Sequence, residues 1–397
     1  MTIVIRPPTD DEWPAVCRVD GRSFGTTYSP ERIEQVRPMH DLSRFRVAFD
    51  GIEIVAVAGS YALDVTLPGA TSVPMGGVTW VSTVATHRRQ GLMRRVVGAV
   101  HDDIDERGEP LASLSASEGS IYSNIGYGIA TRVRVISIDP RSTRLRAEFR
   151  TPPGSVRYLE GDDVVTMMSE RWSRFRRTSV GEVDRSITDH EFLYASRNKE
   201  MGAQSAGFYI VHADGFACYR VEQDWNDGHP RHTLHLIEFV AITPEAHAAL
   251  WETLLSVDLV GEIRSRVVAI DDPLPFLLED QRALRTTELN DGIWANLRDP
   301  SICFGARTYR TDDRIVVEAD GKRWAIEGGP AGGECRAVRT RPDLTTTGAA
   351  LASLLYGGVA PSTLVRGRQM TARNDDVLRR ADVFFTTVRA PHCTSLY

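Results

Sequence analysis

Residues 80–94, Trp-Val-Ser-Thr-Val-Ala-Thr-His-Arg-Arg-Gln-Gly-Leu-Met-Arg, constrain the fold of this chain more than any other stretch. An apolar run over 78–84 reads as a strand, enters a turn rich in arginine and glycine, and opens directly into a helix over 88–107. Leu92, Met93, Val96, Val97, Val100 and Ile104 fall on one stripe of that helix, and Gly108 supplies its stop. Free amides at a helix N-terminus, the positive end of the dipole, a glycine that lets backbone approach a ligand and arginines for outer oxygens together make a pyrophosphate site. The competing reading is a basic first turn on a surface helix. Arg88 and Arg89 stand where the dipole disfavours cations, so an anion is expected to compensate them.

The surrounding residues extend the alternation of strands and helices. Residues 3–6 read as a strand, and Asp10, Asp11 and Glu12 bring negative charge to the start of a helix carrying Trp13, Val16, Val19 and Phe24, with Pro14 in its first turn. Runs at 45–49 and 52–58 flank Asp50-Gly51, a tight-hairpin signal. Strands are predicted at 60–67, 78–84 and 111–115, a short helix over 117–124, and a closing strand at 133–138. Arg-Thr-Pro-Pro-Gly-Ser at 150–155 is a linker, followed by strands at 207–211, 217–222 and 232–241 and a helix over 244–255. Beyond residue 290, runs at 314–318 and 322–327 flank Ala319-Asp320-Gly321 as a hairpin, 328–333 reads as a flexible loop, and helices carry Leu351, Leu354 and Leu355 and span 375–385. The predicted class is α/β with mixed sheets, in domains at 1–150, 151–290 and 291–397.

Composition narrows the function. A length of 397 residues excludes a lone small module. A net charge of −6 offers no general attraction to nucleic acid or anionic lipid. No apolar stretch approaches the roughly 18 residues of a membrane span, and the first residues lack a basic, then apolar, leader, so a cytoplasmic protein is expected. Five scattered cysteines without Cys-x-x-Cys spacing argue for free thiols over a disulfide framework or zinc. No carboxylate spacing completes a metal site around His229, His232 and His235, so no metal is expected. His101, one position past Val100, reads as solvated, and His87 as local packing or a phosphate contact.

The joint at 80–94 resembles the acetyl-CoA loop of the Gcn5-related N-acetyltransferases (GNAT), [Gln/Arg]-x-x-Gly-x-[Gly/Ala], as Arg88-x-x-Gly91-x-Met93, with Met93 departing from the usual small residue. The resemblance implies that Val81, Ser82 and Thr83 offer backbone bonds to the pantetheine arm. It also implies that Arg88, Arg89, Gln90, Gly91, Leu92, Met93 and Arg94 hold the pyrophosphate. About thirty residues on, Ser117-Glu118-Gly-Ser-Ile-Tyr122, with Gly126-Tyr127 after it, resembles the family's Tyr-x-x-x-Gly-[Phe/Tyr] segment, which makes Tyr122 the proton donor to the departing thiolate. By the same resemblance Ser117 and Glu118 contact the cofactor, although the serine also suits a helix N-cap.

Over its full length the chain resembles the Eis ("enhanced intracellular survival") acetyltransferases, through Thr-His-Arg-Arg-Gln-Gly, Ala-Ser-Glu-Gly-Ser-Ile-Tyr, Ala-Leu-Trp251-Glu-Thr-Leu-Leu, Asp271-Asp-Pro-Leu-Pro-Phe276 and the terminal aromatic. That implies tandem GNAT folds, a sterol-carrier-like domain, a homohexamer and Tyr397 as general base through its α-carboxylate. The implied reaction moves acetyl from acetyl-CoA to an amine of a small polyamine-like or aminoglycoside-like acceptor. The acidic residues that aminoglycoside-acetylating relatives carry are replaced here by Thr26 and Leu396. Thr243-Pro-Glu245-Ala-His-Ala248 aligns with Thr86-His-Arg88-Arg-Gln-Gly91 as a second copy of the joint. Glu245 would repel a pyrophosphate there, so that copy is expected to bind no CoA. The rival reading is a non-catalytic protein that senses CoA or captures an apolar ligand in the sterol-carrier-like domain.

Overall fold

The computed structural model describes residues 3–395. Its elements begin with β1 (Ile3–Arg6), α1 (Trp13–Phe24), α2 (Pro30–Val36), β2 (Phe45–Asp50), β3 (Glu53–Thr66), β4 (Ser72–Thr83), α3 (Leu92–Glu106), β5 (Leu111–Ser115), α4 (Gly119–Ser123), β6 (Gly128–Ile129) and β7 (Arg132–Ile138). There follow β8 (Arg157–Leu159), α5 (Asp163–Arg176), α6 (Ile187–Arg197), β9 (Phe208–His212), β10 (Gly215–Glu222), β11 (Trp225–Asn226), β12 (His229–Pro230), β13 (His232–Ala241), α7 (Pro244–Leu255), β14 (Val260–Val268), α8 (Leu274–Leu277), β15 (Leu284–Asp291) and β16 (Ile293–Leu297). The last stretch holds α9 (Pro300–Gly305), β17 (Asp313–Ala319), β18 (Lys322–Gly329), β19 (Gly332–Ala337), β20 (Leu344–Thr346), α10 (Gly348–Ser353), α11 (Pro361–Arg366), β21 (Met370–Ala372) and α12 (Asp375–Phe385).

The chain divides into two compact units, one with residues up to Ala130 and Ile293–Thr387, the other with Thr131–Gly292 and Val388–Ser395. In the first, a seven-stranded sheet runs β1-β2-β3-β4-β5-β16-β6, and a five-stranded sheet runs β19-β18-β17-β20-β21. The stripe read from the sequence is the buried face of α3: Leu92, Val96, Val97, Val100 and Ile104 are each at most 2% exposed. The second unit has its own seven-stranded sheet, β15-β7-β14-β13-β10-β9-β8. One side of its core gathers Leu234, Leu236, Leu250, Trp251 and Leu254, the other Val164, Met168, Trp172 and Phe216. Among the described residues no helix is long and apolar enough to cross a membrane.

Several expectations need correction. Residues 133–138 do not close the first sheet; β7 pairs with β14 and β15 in the second unit, and β16 instead enters the first sheet between β5 and β6. The runs at 52–58 and 60–67 are one strand, β3, and the glycine between them, Gly59, lies where a Cβ would meet the Phe45 ring at 2.8 Å. The helix predicted from 88 begins at Leu92, after a 3₁₀ turn over Ala85–His87. Residues 328–333 form the ends and turn of an antiparallel hairpin between β18 and β19. A Cβ on Gly329 would stand 1.9 Å from Asp312 Oδ1, so close packing, not mobility, explains that glycine.

Candidate active site

Strand β4 bends at a bulge. Its register against β3 passes from Thr79 opposite Gly59 to Ser82 opposite Val57, so Trp80 and Val81 together face Ala58, and Trp80 takes a left-handed backbone at φ 55°. Parallel pairing with β5 is confined to Met75, Gly76 and Gly77 opposite Leu111, Ala112 and Ser113. Past that point the β5-facing edge of residues 78–83 has no β5 partner, and Thr83 Oγ1 and Ser115 Oγ, near the ends of the two strands, are buried without a hydrogen-bond partner. Open backbone groups and unpaired hydroxyls along one edge suit an extended, amide-bearing ligand.

The bulge turns Trp80 into an aromatic cluster, with ring centroids 5.0 Å from Trp13, 5.8 Å from Tyr28 and 5.0 Å from His40. Asp20 of α1 is buried beside it, accepting from Ser82 Oγ and from the Tyr28 hydroxyl at 2.8 Å each. Burial raises the Asp20 carboxyl above its ordinary value, and the two hydroxyl donors offset some of that rise. Burial also pushes His40 down to about 4, so its ring is neutral at pH 7. This cluster escaped the sequence reading, in which Asp20 is an isolated acid on a helix whose apolar face draws the attention.

The joint after β4 leaves the N-terminus of α3 bare. Gly91 precedes the helix at φ 74° and Arg89 is left-handed at φ 63°. No side chain caps the helix and no acid stands in its first turn. The first intrahelical bond is Arg95 N–H to Gly91 O at 3.1 Å, so the amides of Leu92, Met93 and Arg94 form the free end. Arg88, Arg89, Gln90 and Arg94 are exposed, and no ion pair among the described residues involves these arginines. Three open amides, the helix dipole and unpaired guanidinium groups can cradle a diphosphate. His87 is held by its neighbours, Nδ1 to Thr86 Oγ1 at 2.8 Å and Nε2 to Asp50 at 3.3 Å, in keeping with local packing.

Tyr122 lies in α4 and is 4% exposed. Burial raises its phenol above the ordinary value, a hydrogen bond with Ser117 lowers it, and the nearby charge of Glu118 raises it again. The phenol is therefore fully protonated at neutral pH, as a proton donor must be. Ser117 does not cap this helix; Glu118 occupies the cap position, without a side-chain cap bond. Tyr127 is fully buried, and its hydroxyl lies 2.7 Å from His101 Nε2, so His101 is a buried partner within the core and not the solvated residue expected. Strand β16 supports α4 from below: a Cβ on Gly119 would stand 3.2 Å from the Trp294 ring. Of the predicted site residues, Val81, Ser82, Thr83, Arg88 to Arg94, Ser117, Glu118 and Tyr122 all fall in the first unit. Tyr397 lies outside the described residues.

The second unit repeats the joint with different chemistry. Strand β13 pairs in parallel with β14 from His232 to Leu236 and then diverges from it, and α7 follows as α3 follows β4. Here the helix is closed at its N-terminus: Thr243 Oγ1 accepts from Ala246 N–H at 3.2 Å, Pro244 lacks an N–H, and Glu245 brings negative charge to the first turn. The C-terminal segment also packs against the diverging strands. His392 Nε2 donates to Val267 O at 3.1 Å, His392 N–H to Val180 O at 2.8 Å, Thr394 N–H to Glu182 at 3.0 Å and Ala390 N–H to Asp271 at 2.7 Å.

Comparison with known proteins finds two acetyltransferase matches and a third of another family. Residues 4–130 and again 181–298 match acetyltransferase (GNAT) domain families, and 310–394 match a sterol carrier protein domain. The N-acetyltransferase Eis of Mycobacterium tuberculosis is 30% identical over 400 residues, covering 98% of each chain. An uncharacterized N-acetyltransferase of Streptomyces avermitilis is 29% identical over 404 residues, with 98% of each covered. Eis1 from Mycobacterium abscessus superposes with a TM-score of 0.89 at 27% identity over the whole of both chains. A GCN5-related N-acetyltransferase from Anabaena variabilis shares the fold at a TM-score of 0.84 and 15% identity, again over both whole chains.

Proposed function

The chain belongs to the Eis family of N-acetyltransferases, GNAT enzymes whose acyl donor is acetyl-CoA, and from that premise we propose that its acceptor is a primary amine of a small polyamine-like or aminoglycoside-like molecule. The bare N-terminus of α3 beside the open edge of β4 carries the reading. It offers a diphosphate cradle and a backbone edge in sequence order along one ligand. Arg88 to Arg94 hold the pyrophosphate, Val81 to Thr83 bind the pantetheine arm, and Ser117 and Glu118 complete the cofactor contacts.

The reaction is direct attack. The amine nitrogen forms a bond to the thioester carbonyl carbon, backbone N–H groups of β4 stabilise the developing oxyanion, and the carbon–sulfur bond breaks. Tyr122 gives its phenolic proton to the CoA thiolate, and the ammonium proton passes to the Tyr397 α-carboxylate, a role carried over from the family resemblance. Homohexameric assembly and a cytoplasmic setting rest on that resemblance alone.

Thr26 is exposed, at a position where the family resemblance implies an acid in aminoglycoside-acetylating members. Asp20, behind the Trp80 cluster, is a carboxylate close to β4 in this chain. A panel of linear polyamines and aminoglycosides, assayed by thiol release from acetyl-CoA, tests the class; release with none of them overturns it. Tyr122→Phe should lower kcat by about 10²- to 10⁴-fold with little change in acetyl-CoA affinity. Equal turnover in that variant would remove Tyr122 from the mechanism.

A further inference from the structure

The diverging strands of the second unit enclose a pocket of about 100 Å³. Leu236 and Phe239 of β13 and Val268 of β14 give it an apolar wall, His247 and Trp251 of α7 a polar one, and His392 of the C-terminal segment lines it too. His247 and Trp251 are four residues apart and so share a helix face. Both residues are buried, at 8% and 1% exposure, and both carry an unpartnered polar atom, His247 Nδ1 and Trp251 Nε1. Two unsatisfied groups on one buried face are costly unless a ligand or solvent pairs them.

The indole N–H can only donate. His247 Nε2 stands 3.2 Å from Asp272 Oδ2. Burial would raise that carboxyl, but the hydrogen bond and charge of His247 and the Leu274 amide hold it below its ordinary value, so it is ionised. Nε2 therefore carries a proton and donates to Asp272, which leaves Nδ1 as the ring atom without a partner. A hydroxyl both donates and accepts, so it can accept from Trp251 Nε1 and pair with His247 Nδ1, with a carbon body against Leu236, Phe239 and Val268.

We propose that this pocket is a binding site for a compact, uncharged hydroxyl compound with an apolar body, of the size of phenol. The site is separate from the acetyl-transfer residues and does not depend on their assignment.

Calorimetric titration of the intact protein with phenol, alongside benzene of nearly the same shape, tests the proposal. Phenol should bind saturably at or below millimolar concentration and more tightly than benzene. Trp251→Phe keeps an aromatic ring and removes the indole N–H, so phenol affinity should fall about fivefold, the worth of one hydrogen bond, while benzene affinity is unchanged. A parallel fall for both compounds would show a packing defect and overturn the assignment. Absence of saturation by phenol in the unaltered protein would leave solvent as the partner of the two atoms and overturn it as well.

Discussion

In both units a pair of parallel strands diverges and a helix starts at the gap, yet the helices meet that gap in opposite electrostatic states. Helix α3 begins with Gly91 in a left-handed conformation, no cap, no acid and a run of exposed arginines. Helix α7 begins with a Thr243 cap, a proline and Glu245. The first arrangement leaves amide donors and positive charge in need of an anion, and the second satisfies its own. In the second unit, too, the C-terminal segment bonds to Val267 of one diverging strand, on the kind of edge that stays open beside β4. On the proposed function, the difference between a copy that binds CoA and one that does not rests on a few residues at a single turn, within the same sheet architecture.

The largest effect should come from spoiling the open turn. Gly91→Asp places a carboxylate beside the free amides at a left-handed position with space for the side chain, so acetyl-CoA affinity should fall by at least about a hundredfold while the fold persists. Calorimetry with circular dichroism on the same sample separates the two effects. Removing the cap of the closed turn is milder. Thr243→Ala should cost about 1 kcal/mol of stability in denaturant unfolding and leave acetyl-CoA affinity unaltered.

A third test concerns the seat of the C-terminal segment. Glu182 is fully buried, and burial raises its carboxyl to about 7 against the opposing pull of Arg185 and the Thr394 amide. A carboxyl that binds its proton more tightly when folded than when unfolded adds stability that is full below its unfolded value of about 4.3. That contribution is lost as pH rises through about 7. Stability measured across this interval should decline with pH for the unaltered protein and less so for Glu182→Gln, which keeps an acceptor for Thr394 without titrating. The neighbouring Glu238 makes the contrast clear. Burial would raise it likewise, but Arg197 and Arg185 hold it at about 2, so it stays ionised throughout this range.

Local patterns were legible where they carry their own boundaries. The helix over 244–255 is bracketed by Thr243 and Pro244, and that over 375–385 by Asn374 and two aspartates, and both lie where the pattern placed them. Sheet partnership was not legible, because a period-two apolar run such as 133–138 fits any half-buried position and says nothing about which neighbours it will bond. The exchange that sends β7 to the second sheet and β16 to the first is set by long-range pairing alone. At the site, the uncapped, arginine-rich turn at 88–94 was visible in its own residues, and Tyr122 was singled out through the family resemblance. Asp20 and His101 could not be found, since each is defined by a partner 62 or 26 residues away, Ser82 and Tyr127.

The central claim is that one of the two joints binds CoA and the other does not. Its most direct test is the stoichiometry of acetyl-CoA binding by calorimetry for the unaltered protein, Gly91→Asp and Glu245→Gln. The account predicts one site per chain, lost in Gly91→Asp and unchanged in Glu245→Gln. Two sites per chain, or a single site that survives Gly91→Asp with its affinity intact, would contradict it.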